Sequence, residues 1–211
     1  MAKILSGETI ARRVLNGLKR KRKRKLFLAV VQVGSNAVSA KYIAEKEKVA
    51  KELKAGFQLV QLPSSISQAK LEKKIQKIGE DKKISGMLVQ LPLPSKLNTQ
   101  RALDFIPKEK DVDVLSSTSF SEFALGTLSI LPPTVCAIAL LLKESKTNIE
   151  GKRVAVVGAG RLVGLPVSLW LAQQGATISL IQKGTRDALQ LISKADIVIS
   201  GVGKPGLITG S

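Results

Sequence analysis

A lysine in line with apolar residues is the first candidate for acid/base chemistry in this chain. After Gly34, a predicted helix carries at helical spacing Ser39, Tyr42, Lys46, Val49 and Leu53. The two apolar members indicate that this face of the helix points inward. Burial disfavours the charged form of an amine, so Lys46 is a candidate general acid/base with Tyr42 as a hydrogen-bonding neighbour. The structural alternative is a lysine stem that runs along the edge of an ordinary apolar stripe.

A glycine-rich segment, RVAVVGAGRLVGLP at positions 153–166, is the second chemical candidate. A predicted strand leads into Gly158, Gly160 and Gly164, and a helical pattern resumes at Leu165. Glycines let a backbone approach a pyrophosphate, and the N–H groups at a helix N-terminus attract its charge. The spacing G-x-G-x-x-x-G is one residue longer than the usual dinucleotide motif. A strand-to-helix turn without a ligand is therefore the alternative.

The composition of the chain limits the functions and the catalytic residue types that are possible. The chain has 211 residues, a net charge of +18 and 44% hydrophobic content, which indicates folded domains with anionic partners. It contains one cysteine and no histidine, so we expect neither an intramolecular disulfide nor a metal site, and proton transfer must use Lys, Tyr, Asp or Glu. Aromatic residues make up only 3%, which leaves few platforms for base stacking. We expect a cytoplasmic protein, since no signal peptide or membrane span is evident.

Alternating strands and helices must position these candidates. Strands are predicted over 26–33, 57–62 and 84–91, with a helix capped by Ser67 and another closed by Gly56. Three more strands are predicted over 153–157, 177–181 and 197–200. This order is typical of a three-layer α/β domain followed by a Rossmann-like parallel sheet. Ligands bind beyond the carboxyl ends of parallel strands, which is where Gln90 lies.

The N-terminal segment carries a basic run. Ser6 can cap a helix with a buried stripe of Ile10, Val14 and Leu18, and seven consecutive cations occupy Lys19 to Lys25. The run is either a contact for RNA or membrane or a solvated helix end.

Five motifs together resemble the methylenetetrahydrofolate dehydrogenase/cyclohydrolase family. They are, in order, S-x-x-Y-x-x-x-K at 39–46, VQLPLP at 89–94, KDVD at 110–113, the glycine loop ending VGLP, and VGKPG at 202–206. The resemblance covers nearly the whole chain. It implies a folate-binding domain over 1–130, an NAD(P)-binding domain over 131–211, and a site in the cleft between them.

The resemblance also implies roles for individual residues. Lys46 is the central acid/base residue, Tyr42 stacks on the folate, Gln90 tunes the lysine, and Asp113 binds the pterin ring. The implied catalytic residues are Lys46, Tyr42, Gln90 and Asp113, and the implied substrate-binding residues are Ser39, Tyr42, Gln90, Pro92 and Asp113. The implied cofactor-binding residues are Gly158, Ala159, Gly160, Val163, Gly164, Pro166, Lys183 and Gly203. The implied cofactor is NADP, with NAD possible, and the implied assembly is a homodimer without membrane or nucleic-acid partners.

Several positions depart from the family pattern. The family's PCTP-x-G appears here as PPTVCA, with Pro133 at the cysteine position, and we expect Cys136 to be buried packing. Val114 replaces the glycine that follows KDVD. Ala159 and Gly160 replace Arg-Ser in the glycine loop, while Lys183 and Arg186 follow the next strand and favour NADP.

The chain ends a few residues after VGKPG, so we expect a C-terminally truncated Rossmann domain with an unpaired sheet edge. Two other functions stay open at this point. One is a basic nucleic-acid-binding protein that uses Lys19 to Lys25, and the other is an inactive fragment that binds folate or nucleotide without turnover.

Overall fold

The computed structural model describes residues 4–21 and 25–209. The chain divides into two compact units: the first contains Ser6–Leu128, and the second contains residues 129–209 together with Ile4 and Leu5. Each unit is built around a three-stranded parallel sheet. The predicted α/β class is therefore confirmed for both.

The first unit begins with helix α1 (Gly7–Lys21) and contains three strands, β1 (Phe27–Val33), β2 (Gly56–Leu62) and β3 (Gly86–Val89). Helix α2 (Ala37–Glu52) connects β1 to β2, and helix α3 (Gln68–Glu80) connects β2 to β3. Two shorter helices follow, α4 (Thr99–Leu103) and α5 (Ser117–Ala124), with a 3₁₀ helix, Lys108–Lys110, between them. The strand order is β2-β1-β3, so β1 is the central strand.

Alternate residues of β1 serve opposite faces of the sheet. Ala29, Val31 and Val33 pack in one cluster with Leu71 and Ile75 of α3. Val30 packs in a second cluster with Ile43 of α2 and Leu88 of β3. Because strand side chains alternate, α2 and α3 cover opposite faces, which gives the predicted three layers.

The inward face of α2 differs from the predicted one. Its buried residues are Ser39, Ile43 and Ala50, whereas Tyr42 is 60% exposed. Lys46 is half-buried, at the border between the buried and exposed sides. The prediction centred the buried face of α2 on the wrong residues, because it did not include the buried Ile43 and Ala50.

Gly56 does not close α2 as predicted. The left-handed position after the helix belongs to Lys54, with φ 51°. Gly56 instead begins β2, where an added Cβ would lie 2.2 Å from the Phe27 ring. Glycine is needed there for close approach between neighbouring strands rather than for a turn.

The predicted stripe of α1 is only partly buried. Ile10 is buried, but Val14 and Leu18 are 39% and 48% exposed. Residues 22–24 of the basic run lie outside the described part of the chain. Where α1 ends, Lys19 forms an ion pair of 2.6 Å with Glu52 of α2.

The second unit contains helix α6 (Pro133–Glu144), strand β4 (Arg153–Val157), helix α7 (Gly164–Gln173), strand β5 (Thr177–Ile181), helix α8 (Ala188–Ser193) and strand β6 (Ile197–Ser200). The strand order is β5-β4-β6. Helix α7 packs on β4 and β5, and Ala188 and Ile192 of α8 pack against Ala155 and Ile181. All three strands of this unit were predicted with these bounds.

The expectation for Cys136 was wrong, since its side chain is exposed. Val135, beside it in the first turn of α6, is fully buried, and consecutive helical residues point in different directions. Among the residues described, no helix combines the length and apolar character needed to cross a membrane.

Candidate active site

Lys46 and Gln90 meet above the first sheet. The Lys46 Nζ donates a hydrogen bond of 2.9 Å to Gln90 Oε1. Helix α2 supplies the lysine, and the end of β3 supplies the amide. The Gln90 backbone N–H still donates to the Val31 carbonyl at 2.8 Å, so this residue is anchored to the central strand.

Hydrogen bonds to both the oxygen and the nitrogen of the Gln90 side-chain amide fix its orientation. Its Nε2 donates to the Leu91 carbonyl at 2.9 Å, which leaves Oε1 for Lys46. The Ser39 Oγ donates to the same carbonyl at 3.4 Å. The peptide bond between Leu91 and Pro92 is cis, and Pro92 is exposed. Ser39, Lys46, Gln90 and Pro92 thus lie in one neighbourhood.

The local backbone explains why Ser39 faces the Leu91 carbonyl. Asn36 caps α2, and its Oδ1 accepts hydrogen bonds from the backbone N–H groups of Val38 and Ser39 at 2.9 and 3.1 Å. This cap fixes the helix start and therefore the direction of the Ser39 side chain. Ser39 is itself buried.

Tyr42 lines an open cavity of about 600 Å³. Lys46 and Val49 of α2 line it, with Leu28 of β1 and Val112 opposite. Within residues 4–21 and 25–209, Tyr42 makes no hydrogen bond to Lys46, contrary to the expected pairing. The exposed ring is free to cover a flat ligand beside the amine.

Asp113 is the last of the expected catalytic residues in the first unit. Its carboxyl is half-buried, and desolvation raises its pKa above the ordinary value. The Lys46 cation acts in the opposite direction, and the negative charge of Asp111 adds to the increase in the pKa of Asp113. The positive charge of Lys46 therefore acts on the Asp113 carboxyl.

In the second unit, the glycine loop follows β4 directly. The Gly158 N–H donates to the Ile181 carbonyl at 2.8 Å, and its φ is 94°. A Cβ added at Gly164 would lie 1.6 Å from the Gly158 carbonyl oxygen. At Gly160 an added Cβ would meet nothing within 4 Å. The first and third glycines are therefore required by the loop itself, whereas Gly160 leaves open space beside the backbone.

The other predicted cofactor residues fall into two groups. Ala159 and Val163 are half-buried in the loop, and Pro166 is buried in the first turn of α7. Lys183 follows β5 and Gly203 follows β6, and both are exposed. The N-cap residue of α7, Val163, has no side chain that could bond the helix N-terminus. The open space at Gly160 and this uncapped N-terminus fit a bound phosphate group.

Sequence reasoning missed two contributors to the glycine loop. A Cβ added at Gly158 would lie 2.8 Å from Val202 Cγ2, and one added at Gly201 would lie 3.0 Å from Val163. The residues after β6 thus pack directly on the loop. Gly201, which precedes the VGKPG motif, and Val202, its first residue, were the available signal. Within the described ranges, no group of three or more His, Cys, Asp or Glu side chains could hold a metal ion.

Two family descriptions match the chain. Residues 5–113 match the tetrahydrofolate dehydrogenase/cyclohydrolase catalytic domain, and residues 132–211 match the NAD(P)-binding domain of the same family. The chain belongs to the tetrahydrofolate dehydrogenase/cyclohydrolase family. This membership confirms the resemblance found in the sequence and does not favour the nucleic-acid-binding alternative.

Members of this family are similar over the whole chain. The bifunctional protein FolD of Staphylococcus carnosus is 34% identical over 99% of the chain, which spans 75% of that relative. FolD of Geotalea daltonii is 35% identical over 100% of the chain and 78% of the relative. The chain therefore spans about three quarters of the length of these proteins.

Solved structures of the family have the same fold. FolD of Campylobacter jejuni gives a TM-score of 0.92 at 31% identity, over 96% of this chain and 74% of that chain. FolD of Trypanosoma brucei, complexed with NADP cofactor and an inhibitor, gives a TM-score of 0.92 at 30% identity, over 98% of this chain and 74% of that chain.

Proposed function

We propose that this chain oxidises 5,10-methylenetetrahydrofolate to 5,10-methenyltetrahydrofolate with NADP and hydrolyses that product to 10-formyltetrahydrofolate, in one-carbon metabolism. The observation that carries the proposal is the Lys46 amine, which Gln90 Oε1 holds at 2.9 Å. This pair lies in the domain that matches the family's catalytic domain. Lys46 also lines the open cavity described above.

Lys46 is the acid/base residue of this proposal. In its neutral form the amine donates one hydrogen to Gln90 and keeps its lone pair for a proton of the water that attacks the methenyl carbon. The protonated amine can then return the proton to the folate nitrogen that leaves when the ring opens. Gln90 keeps the amine at a fixed position because its own Nε2 is tied to Leu91.

Asp113 and Tyr42 would hold the substrate. The carboxyl of Asp113 can pair with the donor groups of a pterin ring, and desolvation raises the pKa of this carboxyl. Tyr42 lines the cavity with a largely exposed side chain, on which an aromatic part of the folate can stack. Ser39 fixes the Leu91 carbonyl between α2 and Gln90.

The second unit would hold NADP, which supplies the hydride acceptor. The loop around Gly158, Gly160 and Gly164 would receive the pyrophosphate. Lys183 and Arg186 are exposed beyond the end of β5, where a 2′-phosphate would find positive charge. This distribution supports NADP over NAD.

We further propose a cytoplasmic homodimer, on the basis of the family resemblance. Light scattering after size-exclusion chromatography measures the mass directly. A mass near twice 22.6 kDa would support the dimer, and a mass near 22.6 kDa would contradict it.

The activity is tested by following methenyltetrahydrofolate formation with NADP and with NAD, and methenyltetrahydrofolate hydrolysis separately. We expect NADP-dependent oxidation and hydrolysis in the unaltered protein, with hydrolysis lost in Lys46→Met. Lys41→Met is the matched control, because Lys41 is an exposed lysine of the same helix. A Lys46→Met protein that hydrolyses at the full rate would refute the role of Lys46, and the absence of both reactions from the unaltered protein would refute the function.

A further inference from the structure

The KDVD motif consists mostly of residues that hold the motif in place. The Lys110 Nζ donates to the carbonyls of Gly79 and Asp81, at 2.5 and 2.9 Å, where α3 ends. Val112 packs so closely on β3 that a Cβ added at Gly86 would lie 2.5 Å from Val112 Cγ1. These contacts fix the segment to both neighbouring elements.

Asp111 is the buried member of the motif, with 2% exposure. Its Oδ2 accepts hydrogen bonds from the backbone N–H groups of Leu115 and Ser116, at 3.1 and 2.9 Å. The chain turns at Val114, which lies between Asp111 and these two donors and has a φ of 57°. The carboxylate of Asp111 therefore closes a tight turn that contains Asp113.

Burying a charged carboxylate at this position costs free energy unless other groups interact with the charge. Removing an ionised carboxylate from water is unfavourable, and backbone N–H donors offset only part of that cost. In the described ranges no lysine or arginine forms an ion pair with Asp111. A neutral side chain could accept the same two hydrogen bonds, so turn closure alone does not explain the charge.

We propose that Asp111 is a positioning residue, which holds the Asp113 carboxyl in place by closing the turn that contains it and which contributes its own negative charge to that turn. This inference rests on the proposed function only in the role that it gives to Asp113. Asp111 itself lies beneath the turn and has no exposed surface for a ligand. Its action on substrate is therefore indirect, through the place and the protonation of Asp113.

The negative charge of Asp111 has a measurable consequence. Two charged groups act on the Asp113 carboxyl, Lys46 from α2 and Asp111 from its own loop, and Asp111 raises the pKa of Asp113. Removal of the Asp111 charge should lower that pKa. Asp111→Asn keeps one oxygen that can accept from Leu115 and Ser116, so it removes the charge while it preserves most of the turn.

The experiment is a carboxyl NMR titration of the full chain labelled at the side-chain carbon of aspartate. The sequence contains six aspartates, and Asp113→Asn assigns the Asp113 signal by its loss. We expect the Asp113 midpoint to move to lower pH in Asp111→Asn. Asp81→Asn is the matched control, because Asp81 also accepts a hydrogen bond from a backbone N–H, that of Lys83 at 2.9 Å. We expect the Asp113 midpoint to stay unchanged in Asp81→Asn.

A kinetic measurement accompanies the titration. For folded Asp111→Ala, we expect the KM for methylenetetrahydrofolate to rise by about tenfold, with a smaller change in kcat, since one charge-assisted hydrogen-bonding group is lost. An unchanged Asp113 midpoint in Asp111→Asn would overturn the proposal. An unchanged KM in folded Asp111→Ala would also overturn it, and if that variant does not fold, Asp111→Asn alone decides. A shifted midpoint in a protein that shows no turnover would support the positioning role and refute only the proposed function.

Discussion

The Lys46 amine and the Gln90 side-chain oxygen lie 2.9 Å apart, although 44 positions separate them in the chain. One comes from the helix that covers the central strand, and the other follows the neighbouring strand. Since Gln90 Nε2 is bonded to the Leu91 carbonyl, the amide cannot rotate without breaking a bond at each end. The amine is thus held by the scaffold before substrate arrives, which reduces the reorganisation needed during reaction.

The first prediction concerns this pair. Gln90→Asn shortens the side chain by one methylene, so it cannot reach both Lys46 and the Leu91 carbonyl. We expect cyclohydrolase kcat/KM to fall by roughly 10- to 100-fold, since positioned acid/base groups contribute about 10²–10⁴. Gln58→Asn is the control, because Gln58 is an exposed residue of β2. Equal hydrolysis rates for Gln90→Asn and the unaltered protein would show that the hydrogen bond is irrelevant to catalysis.

Much of the scaffold could be predicted from sequence because it depends on local patterns. Five of the six predicted strands lie within one residue of their observed bounds, and four of these five are followed directly by glycine or proline. Gln90 was placed correctly at a strand end because parallel strands direct their carboxyl ends to one edge. The centre of the α2 face, the role of Gly56 and the exposure of Cys136 depend on packing between distant segments. The anchoring of Asp113 by Asp111 depends on backbone donors, which side-chain patterns do not reveal.

The second prediction concerns stability and pH. Desolvation raises the pKa of Asp113 in the folded protein. The unfolded chain therefore loses this proton first as pH rises above about 3.9, and the fold loses stability up to the raised pKa. Asp113→Asn removes this penalty. The thermal midpoint of Asp113→Asn minus that of the unaltered protein should therefore be more positive at pH 7 than at pH 4.

A carboxyl with the opposite shift gives the control. The backbone N–H and then the side chain of Arg153 lower the pKa of Asp196. The contribution of the Asp196 carboxylate to stability is present above the ordinary pKa of aspartate and is lost as pH falls through the lowered pKa of Asp196. Asp196→Asn should therefore destabilise at pH 7 and less so in acid. If both variants changed stability in the same direction at pH 7, the assigned shifts would be wrong.

The third prediction tests the turn at Val114. A residue with a Cβ costs about 1–2 kcal/mol in the left-handed region, whereas glycine elsewhere costs about 0.5–1 kcal/mol relative to alanine. At φ 57°, Val114→Gly should therefore be more stable than Val114→Ala by about 0.5–1 kcal/mol, although both lose the buried valine. At Val135, in helix α6, the order should reverse. Urea unfolding of the four variants measures both differences, and the same order at both positions would exclude a left-handed turn at Val114.

The fourth prediction separates the glycines that shape the loop from the glycine that leaves room for a ligand. A Cβ at Gly164 would lie 1.6 Å from the Gly158 carbonyl oxygen, a backbone atom that cannot move without displacing the loop. Gly164→Ala should therefore destabilise the second unit by about 1–3 kcal/mol or more. A Cβ at Gly160 meets nothing within 4 Å, so Gly160→Ala should leave the unfolding free energy within about 0.5 kcal/mol. If the pyrophosphate of NADP approaches the backbone at Gly160, the same methyl should raise the Kd for NADP at least tenfold, measured by calorimetry. A stable Gly160→Ala protein with unaltered NADP affinity would place the cofactor elsewhere, since only a bound ligand distinguishes this position from an ordinary exposed glycine.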